Sequence, residues 1–497
     1  MLAILGFALA LISLDNTIVN VALPSLQEEL GATTAQLQWI VDAYSVLFAG
    51  TLLLAGSLGD RFGRKRVLVI GLVIFGAGSL AAGAAVNADV LIACRALMGI
   101  GGAFIMPSTL SILVQTFTVP SERAQAIGIW AAVAGVGVAI GPIAGGALLE
   151  HFTWHAVFLV NPPLVVVALI LTLRLIPESL DESKPLLDLR GAALVSLGLI
   201  ALVTFIVELP DGGFTSLTLT AGAAAVLLLG LFAWWEKRAP RPLFPMTLFE
   251  DRVFTVAVTM VGLVYFALMG ALFFLPQFLQ LVQGLTPLQS GIGMLPGAGG
   301  LLLASLLSNG LAERFGTRRT VVTGVLLVAT GMVAMSLVEP MTNYPYVGLA
   351  LGLTGIGMGL TLPQATNAVL SRVPKERSGM GAAVNDAVTE LGGSFGVAVL
   401  GGVLAFFYRD RIDDVIASAG GAPAPPEALD AIRESLASAT VQIQRLPVDI
   451  ARPAREVVGE AFVSGMGWAL SVGAVVALMG ALLAWRFFPR HLERVEE

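Results

Sequence analysis

Charge, cysteine and histidine are all scarce in this sequence of 497 residues. Asp, Glu, Lys and Arg together reach 12%, against about 25% in an ordinary soluble domain. Apolar residues make up 56% and mean hydropathy is +0.87. A soluble fold of this size has too little interior to hide that much apolar surface. A cytosolic enzyme, a secreted protein and a disordered chain are therefore excluded, and lipid is the expected solvent. The one cysteine, Cys94, allows neither an internal disulfide nor a thiolate metal site. Only His151, His155 and His491 add imidazoles, so no metal is expected. The net charge of −6 lacks the basic excess that nucleic acid requires. No Gly-rich loop ends in the Lys of a P-loop, so ATP is not the expected energy source and no cofactor is expected. Residues 1–13 contain no Lys or Arg, unlike a signal peptide. Residues 1–24 read as a first spanning helix with almost no cytoplasmic leader.

A helix needs about 20 mainly apolar residues to cross a bilayer. Fourteen stretches qualify: 2–24, 37–58, 67–86, 90–113, 126–149, 155–176, 191–209, 217–236, 254–275, 289–311, 320–338, 345–370, 378–407 and 462–486. An even number puts both termini on one side, and the basic residues say which. With cytoplasmic termini, 21 of the 28 Lys and Arg fall in inward segments and none in the six short outward loops. Arg95 lies within a span, and the other six, Arg409 to Arg455, share one long outward loop. Cytoplasmic loops carry this bias. The long loop, 408–461, is the only sizeable piece expected outside the membrane. After a Gly- and Pro-rich run it places Ala428, Leu429, Ile432, Leu436 and Ala439 at helical spacing. It reads either as a solvated hairpin or as a flap over the outer entrance.

Two inward loops repeat. Gly56-Ser57-Leu58-Gly59-Asp60-Arg61-Phe62-Gly63-Arg64-Lys65-Arg66 follows span two, and Gly310-Leu311-Ala312-Glu313-Arg314-Phe315-Gly316-Thr317-Arg318-Arg319 follows span ten. Both run acid, Arg, Phe, Gly and then bases. Taking spans seven and eight as an insert gives two six-helix halves, 1–180 and 254–497, around two additional helices in 181–253. Repeated halves around a midplane site are a transporter architecture. In the first loop Gly56 and Gly63 allow tight turns and close helix approach. Asp60 can cap a helix N-terminus or pair with an Arg, while Arg61, Arg64 and Lys65 hold topology. The loop reads as a conformational latch; the blander reading is that its bases only set orientation.

Further motifs sit on the spans. Leu14-Asp15-Asn16-Thr17-Ile18-Val19-Asn20-Val21-Ala22-Leu23-Pro24 lies on the first, Arg95-Ala96-Leu97-Met98-Gly99-Ile100-Gly101-Gly102 on the fourth, and Gly135, Gly137, Gly141, Pro142, Gly145 and Gly146 on the fifth. With the duplicated loop, these resemble the major facilitator superfamily, and more narrowly the fourteen-helix drug:H⁺ antiporters, which include quaternary ammonium efflux pumps. The resemblance covers nearly the whole chain, the loop 408–461 least. Departures are Gly59 where Ala is usual, Glu313 for Asp in the second loop, and His155 and Ala156 where Arg and Trp are common in the block Trp154 to Pro162. The resemblance implies the fold, proton coupling and export, but not the substrate. Asn385-Asp386-Ala387-Val388-Thr389-Glu390-Leu391-Gly392 resembles the subset that handles quaternary and bis-cationic drugs.

Ionisable residues inside a membrane are costly and are functional candidates by default. Asp15, Asp42, Arg95, Asp386 and Glu390 are the candidates within spans, whereas Glu208 sits at a span end beside Pro210 and reads as solvated. Asp15 either carries the coupling proton, tuned by Arg95, or is locked to Arg95 as structure. Asp386 and Glu390, four apart, share one helix face about 6 Å apart and are expected to bind a cation, Glu390 also carrying a proton. Asp42 is a further substrate-binding candidate unless it is solvated at the outer interface. Moving a carboxylate out of water favours its neutral form. An acid loaded from outside and emptied inside therefore alternates between rejecting and accepting a cation, which is the simplest basis for antiport. Gly137, Gly141 and Gly145 recur every four residues, with Pro142 and Gly146 beside them. They read as an antiporter-helix pivot or as ordinary small-residue packing.

The expected protein is thus an all-α membrane bundle of fourteen spans that works as a monomer: a proton-coupled exporter of lipophilic, cationic drugs across the plasma membrane. Its expected partners are small molecules, protons and lipid. A proton-driven lipid or glycolipid exporter on the same fold is the alternative, and a channel or membrane-embedded enzyme is more remote.

Overall fold

The computed structural model describes residues 1–117, 120–179, 188–239, 242, 246–373, 378–418, 429, 432–433, 435–444 and 448–490. Within them the chain is helical and contains no strand. Several helices start where the sequence supplies a cap. Before α1 (Leu2–Leu30) gives way to α2 (Thr34–Phe62), Thr33 and Gln36 bond each other's backbone N–H at 3.1 Å in a capping box. After α3 (Arg64–Ala82), Asn87 caps α4 (Ala88–Thr116) by accepting from Val90 N at 2.9 Å. Such caps satisfy donors that lipid cannot.

The helices then group into repeated halves. α1 packs along α5 (Pro120–His151), and α4 lies against both α2 and α3. α6 (His155–Leu159) and α7 (Asn161–Leu175) close this half on α3. α8 (Leu189–Gly212) and α9 (Ser216–Glu236) follow as a hairpin. In the second half α10 (Arg252–Gln277) precedes the short α11 (Pro287–Gly293) and then α12 (Leu295–Phe315), α13 (Thr317–Ser336), α14 (Tyr344–Ser371) and α15 (Ser378–Ser418). Here α10 packs along α15, and α14 against α12 and α13, which repeats the first half. After α16 (Leu436–Gln444), α17 (Val448–Phe487) closes on α13 as α7 does on α3.

The duplicated loops are equivalent in geometry. Gly63 has φ +111° and Gly316 φ +90°, values that only glycine adopts freely. Their N–H groups donate to Gly59 O and Ala312 O, four residues back. The segment after each half's last helix closes on the next turn. Arg64 N donates to Ser179 O at 2.8 Å, and Lys65 N to Glu178 Oε1 at 3.0 Å. In the second half Thr317 N donates to Arg490 O at 2.9 Å, and Arg318 Nε to Phe488 O at 2.5 Å. The carboxylate at the α3 N-terminus is thus Glu178, a role the sequence suggested for Asp60, whose side chain lies outside what the structure describes. A Cβ on Gly63 would come within 2.7 Å of the Glu178 carboxyl, whereas one on Gly59 meets nothing nearer than Arg64 Cγ at 3.7 Å. Gly63→Ala should therefore destabilise the protein by about 1–3 kcal/mol and slow transport, while Gly59→Ala should be neutral. Thermal unfolding in detergent and dye transport would check both.

Twelve stretches of the described residues are long and apolar enough to cross a membrane. α2 and α5, at 29 and 32 residues, have the length for two more. Apolar side chains are widely exposed on the surface, among them Val226 (77%) and Leu306 (81%), where acyl chains would cover them. Several helices differ from their apolar windows. Span 155–176 is divided at Val160, just ahead of Pro162 and Pro163, and span 289–311 at Met294, ahead of Pro296. α15 runs to Ser418 and α17 starts at Val448, so much of the loop 408–461 is helix. Tyr408 and Ile412 of α15 and Val458 and Phe462 of α17 are buried there, and Phe407 stacks on Trp468 at 4.8 Å. The helices continue because they pack on each other after lipid ends, a signal that hydropathy does not carry. α16 buries Leu436, Ala439 and Ile443 and rests on both α1 and α17, so this part is not a solvated hairpin. Ala428 lies outside the described residues.

The halves meet along two seams. On one, α5 touches α11: a Cβ on Gly146 would lie 2.5 Å from Pro287 O, and one on Gly291 would overlap the Pro142 carbonyl. Gln280 Nε2 also donates to Val21 O of α1 at 3.0 Å. On the other seam α2 lies against α15, and α8 packs on both. Ser196 of α8 donates to Gly50 O of α2 at 2.9 Å, and Val46, Leu199, Val203, Val207 and Ala398 form one buried apolar cluster.

Candidate functional site

Asp15 and Arg95 are both completely buried and form an ion pair of 2.6 Å between α1 and α4. Asp15 Oδ1 also accepts from Asn161 Nδ2 at 2.8 Å, and the same amide nitrogen reaches Ser79 Oγ of α3 at 3.0 Å. Arg95 Nε donates to Ile40 O at 2.9 Å, and its guanidinium lies 4.4 Å from the Tyr44 ring centre. The pair therefore knits α1, α2, α3, α4 and α7 inside the first half. A buried pair of this kind is retained only with further hydrogen bonds to offset desolvation, and Asn161 and Ile40 provide them.

The acids of the second half lie elsewhere. Asp386 and Glu390 occupy one face of α15, part-buried, toward α2 and α10. Asn385 Nδ2 donates to Asp386 Oδ1 at 3.4 Å, and Thr366 Oγ1 of α14 to Asn385 Oδ1 at 3.1 Å. Ser45 of α2 stands beside Glu390, and Tyr265 of α10 is within electrostatic reach of both acids. Tyr44, two positions past Asp42, is within reach of Asp15, Arg95 and Glu390 and so links the two groups. Asp42 is fully buried rather than solvated at an interface; Ser394 of α15 stands beside it. Asp42, Asp386 and Glu390 are thus brought to one seam, with Asp15 and Arg95 one aromatic ring away. The latch residues Gly56 to Lys65 are at the far end of α2 and take no part in the site.

The glycines of α5 divide. Gly137, Gly141 and Gly145 face α1: a Cβ on Gly137 would be 2.8 Å from Ser13 Cβ, and one on Gly145 2.9 Å from Ile18 Cγ1. On Gly141 it would overlap the Thr17 hydroxyl. These three are close helix packing within one half, whereas Pro142 and Gly146 touch the other half. Next to them a narrow cavity opens between α1, α5, α10, α12 and α14, lined by Leu272, Leu301 and Met358 among others, with Thr17 and Thr354 its only polar side chains.

Sequence reasoning missed Asn161, Ser45 and Ser394. All three are neutral and small, a class common in spans. Asn161 was visible only as one member of the block after Trp154.

Residues 5–397 match the family described as the Major Facilitator Superfamily. Over 491 residues the chain is 35% identical to the multidrug efflux pump LfrA of Mycolicibacterium smegmatis, covering 98% of this chain and 96% of that one. It is 33% identical over 484 residues to the methyl viologen resistance protein SmvA of Salmonella typhimurium, covering 95% of each. Among solved structures it is similar to a bacterial homologue of the human lysosomal transporter Spinster in an inward-facing and unoccupied conformation, with TM-score 0.70 and 18% identity over 98% of this chain and 96% of that one. That likeness bears on the fold alone. Repeated halves, membrane-spanning helices and a family match over most of the length lead to one conclusion: this multi-pass membrane protein is a transporter, not an enzyme, and belongs to the Major Facilitator Superfamily.

Proposed function

We propose that the protein is a proton-coupled antiporter that exports lipophilic organic cations across the plasma membrane. The carrying observation is the placement of Asp386 and Glu390 together on the α15 face toward the seam, with neutral neighbours, Asn385 and Ser45. Among the described residues neither acid is ion-paired, so an incoming cation meets no salt bridge that it must break. The names of LfrA and SmvA, a multidrug and a methyl viologen pump, support the same reading. In this reading α2 and α5 complete a set of fourteen spans with both termini cytoplasmic. Residues 1–180 and 254–497 form the halves, 181–253 carries the two additional helices, and the protein works as a monomer without cofactor. The α5–α11 contact then lies at the extracytoplasmic end and closes it, so that the cytoplasmic side is the open one.

The test is uptake of ethidium, a monocation, and methyl viologen, with two separated charges, into everted vesicles with and without a proton gradient. A monocation needs one acid at a time and a dication can use two. Losing one desolvated charge pair costs about 1–3 kcal/mol, or about 5- to 150-fold in affinity. Asp386→Asn should therefore weaken methyl viologen much more than ethidium, while Glu390→Gln should impair both. Equal losses in Asp386→Asn would argue against divided roles. The apolar cavity beside Pro142 favours a second reading, a proton-driven lipid or glycolipid exporter. Unchanged transport in both variants would support it.

A further inference from the structure

The seam between α2 and α15 is polar in register. The helices run antiparallel, and going down α2 the residues Gln38, Asp42 and Ser45 meet Gly401, Ser394 and Glu390 going back along α15. The Gln38 amide fills the place where a Cβ on Gly401 would stand, so the helices come very close at that level. Spacings of four and three on α2, and of seven and four on α15, keep each set on one helix face. Gln38, Asp42, Ser45 and Ser394 are all buried, at 2%, 0%, 6% and 1% exposure. Asp42 and Ser394 stand beside each other in polar contact, yet neither Asp42 carboxylate oxygen nor the Ser394 hydroxyl makes a hydrogen bond of full geometry among the described residues. Buried polar groups are rarely left unmade. Two such groups that face each other from different halves of a transporter fit a bond that closes in another state.

We infer that Ser394 and Ser45 are positioning residues for the coupling acids, forming two reciprocal clasps across the seam: Asp42 of α2 with Ser394 of α15, and Glu390 of α15 with Ser45 of α2. The inference rests on the proposed proton-coupled reading, in which Glu390 carries a proton, and adds Asp42 to the acids that exchange protons. Its chemistry follows from the hydroxyl, which donates to a carboxylate and accepts from a carboxylic acid. The bond to the ionised acid is roughly twice as strong. An ionised acid therefore holds the opposite half firmly, and a protonated one releases it. Because one acid sits on each helix, proton loading of either is felt by both halves. The other charged groups around this face are Asp386 on α15 and Arg95 on α4, the latter already paired with Asp15 on α1. α8 places Arg190 and Glu208 toward its ends, and α3 has Arg64, Lys65 and Arg66 in its first turn. One turn from Asp42 and Ser394, Val46 and Ala398 lie under the apolar face of α8, which keeps the clasps away from lipid.

The full-length protein in proteoliposomes provides the test, with ethidium as the probe. Ser394→Ala should lower turnover about tenfold, the effect of one lost charge-assisted hydrogen bond, with KM unchanged. Ser394→Thr should restore it, and Ser45→Ala should behave as Ser394→Ala does. Asp42→Asn combined with Ser394→Ala should be no slower than Asp42→Asn alone, because both remove one interaction. Wild-type turnover in both alanine variants, with Asp42→Asn inactive, would overturn the clasps and leave the acids' role standing. A further tenfold loss in the double variant would also overturn them, since the serine would then act apart from Asp42. Full gradient-driven transport by Asp42→Asn and Glu390→Gln would instead remove the underlying reading. If Ser394→Ala fails to fold, Ser45→Ala decides the matter from the other half.

Discussion

Asp15→Asn is expected to reduce gradient-driven export to the level of protein-free vesicles. Asparagine keeps the size of the side chain and one acceptor oxygen, so one of the two donors, Arg95 Nη1 or Asn161 Nδ2, keeps its acceptor and the other faces an amide NH2. What is lost is the ability to titrate and the charge opposite Arg95, 2.6 Å away in a site with no exposure. Removing one member of a buried pair costs about 3–5 kcal/mol, so the variant should also unfold at a lower temperature. The double variant Asp15→Asn with Arg95→Gln replaces the charged pair by a neutral one. It should recover much of the stability and none of the transport. Unfolding midpoints and vesicle transport of the two variants separate the roles. Proton-driven transport at the wild-type rate in Asp15→Asn would make the pair purely structural and leave coupling to the seam acids.

Gly146→Leu should be nearly as damaging for a different reason. The glycine lies 2.5 Å, by its would-be Cβ, from the Pro287 carbonyl and 2.7 Å from Leu288 Cα, both in the other half. Backbone atoms cannot rotate aside, so α5 and α11 must separate. Overpacking costs about 1–3 kcal/mol, and here it falls on the one state in which this contact exists. A cost of about 2–3 kcal/mol confined to one state shifts a two-state equilibrium by about 30- to 150-fold. Transport should fall by that order while the protein remains folded. In a Cys94→Ser background, Leu275→Cys, which is buried in the cavity next to this contact, should become more reactive to a water-soluble maleimide. Gly230→Ala, with nothing within 4 Å, is the neutral control.

What the sequence made legible follows from how strongly lipid selects. Unbroken apolar stretches and the placement of bases in loops are forced by the bilayer, so the repeat of Gly63 and Gly316 could be read before any contact was known. Asp15 and Arg95 stood out because charge is rare inside a membrane. Asn161, which bonds Asp15, and Ser394, which stands beside Asp42, did not, because neutral polar residues are inexpensive in spans and carry no pattern. Glu178 was hidden for another reason: it reaches the α3 N-terminus from 113 residues away. The ends of α15 and α17 were misplaced because 41 and 40 residues make helices of about 60 Å, twice the hydrocarbon thickness of about 30 Å. The part beyond it is stabilised by helix-to-helix contact.

The α8–α9 hairpin gives the protein a front and a back toward the bilayer. Ser196 fastens α8 to α2, and its apolar face continues onto Ala398 of α15. α9 packs on α8 and turns Leu217, Val226 and Leu227 outward. Acyl chains on this side therefore meet the hairpin before they meet the boundary between the halves. On the opposite side α5, α11 and α12 have no such cover among the described residues, and Leu303 and Leu306 face outward directly. In a bundle of two six-helix halves alone, Val46 and Ala398 would face hydrocarbon, and Asp42 and Ser394 would lie one helix turn from it, where charge is costly. The apolar residues at 199, 203 and 207 thus screen the level of 42 and 394 from lipid. The two sets are bound to change together as the sequence drifts, even though one never touches a substrate.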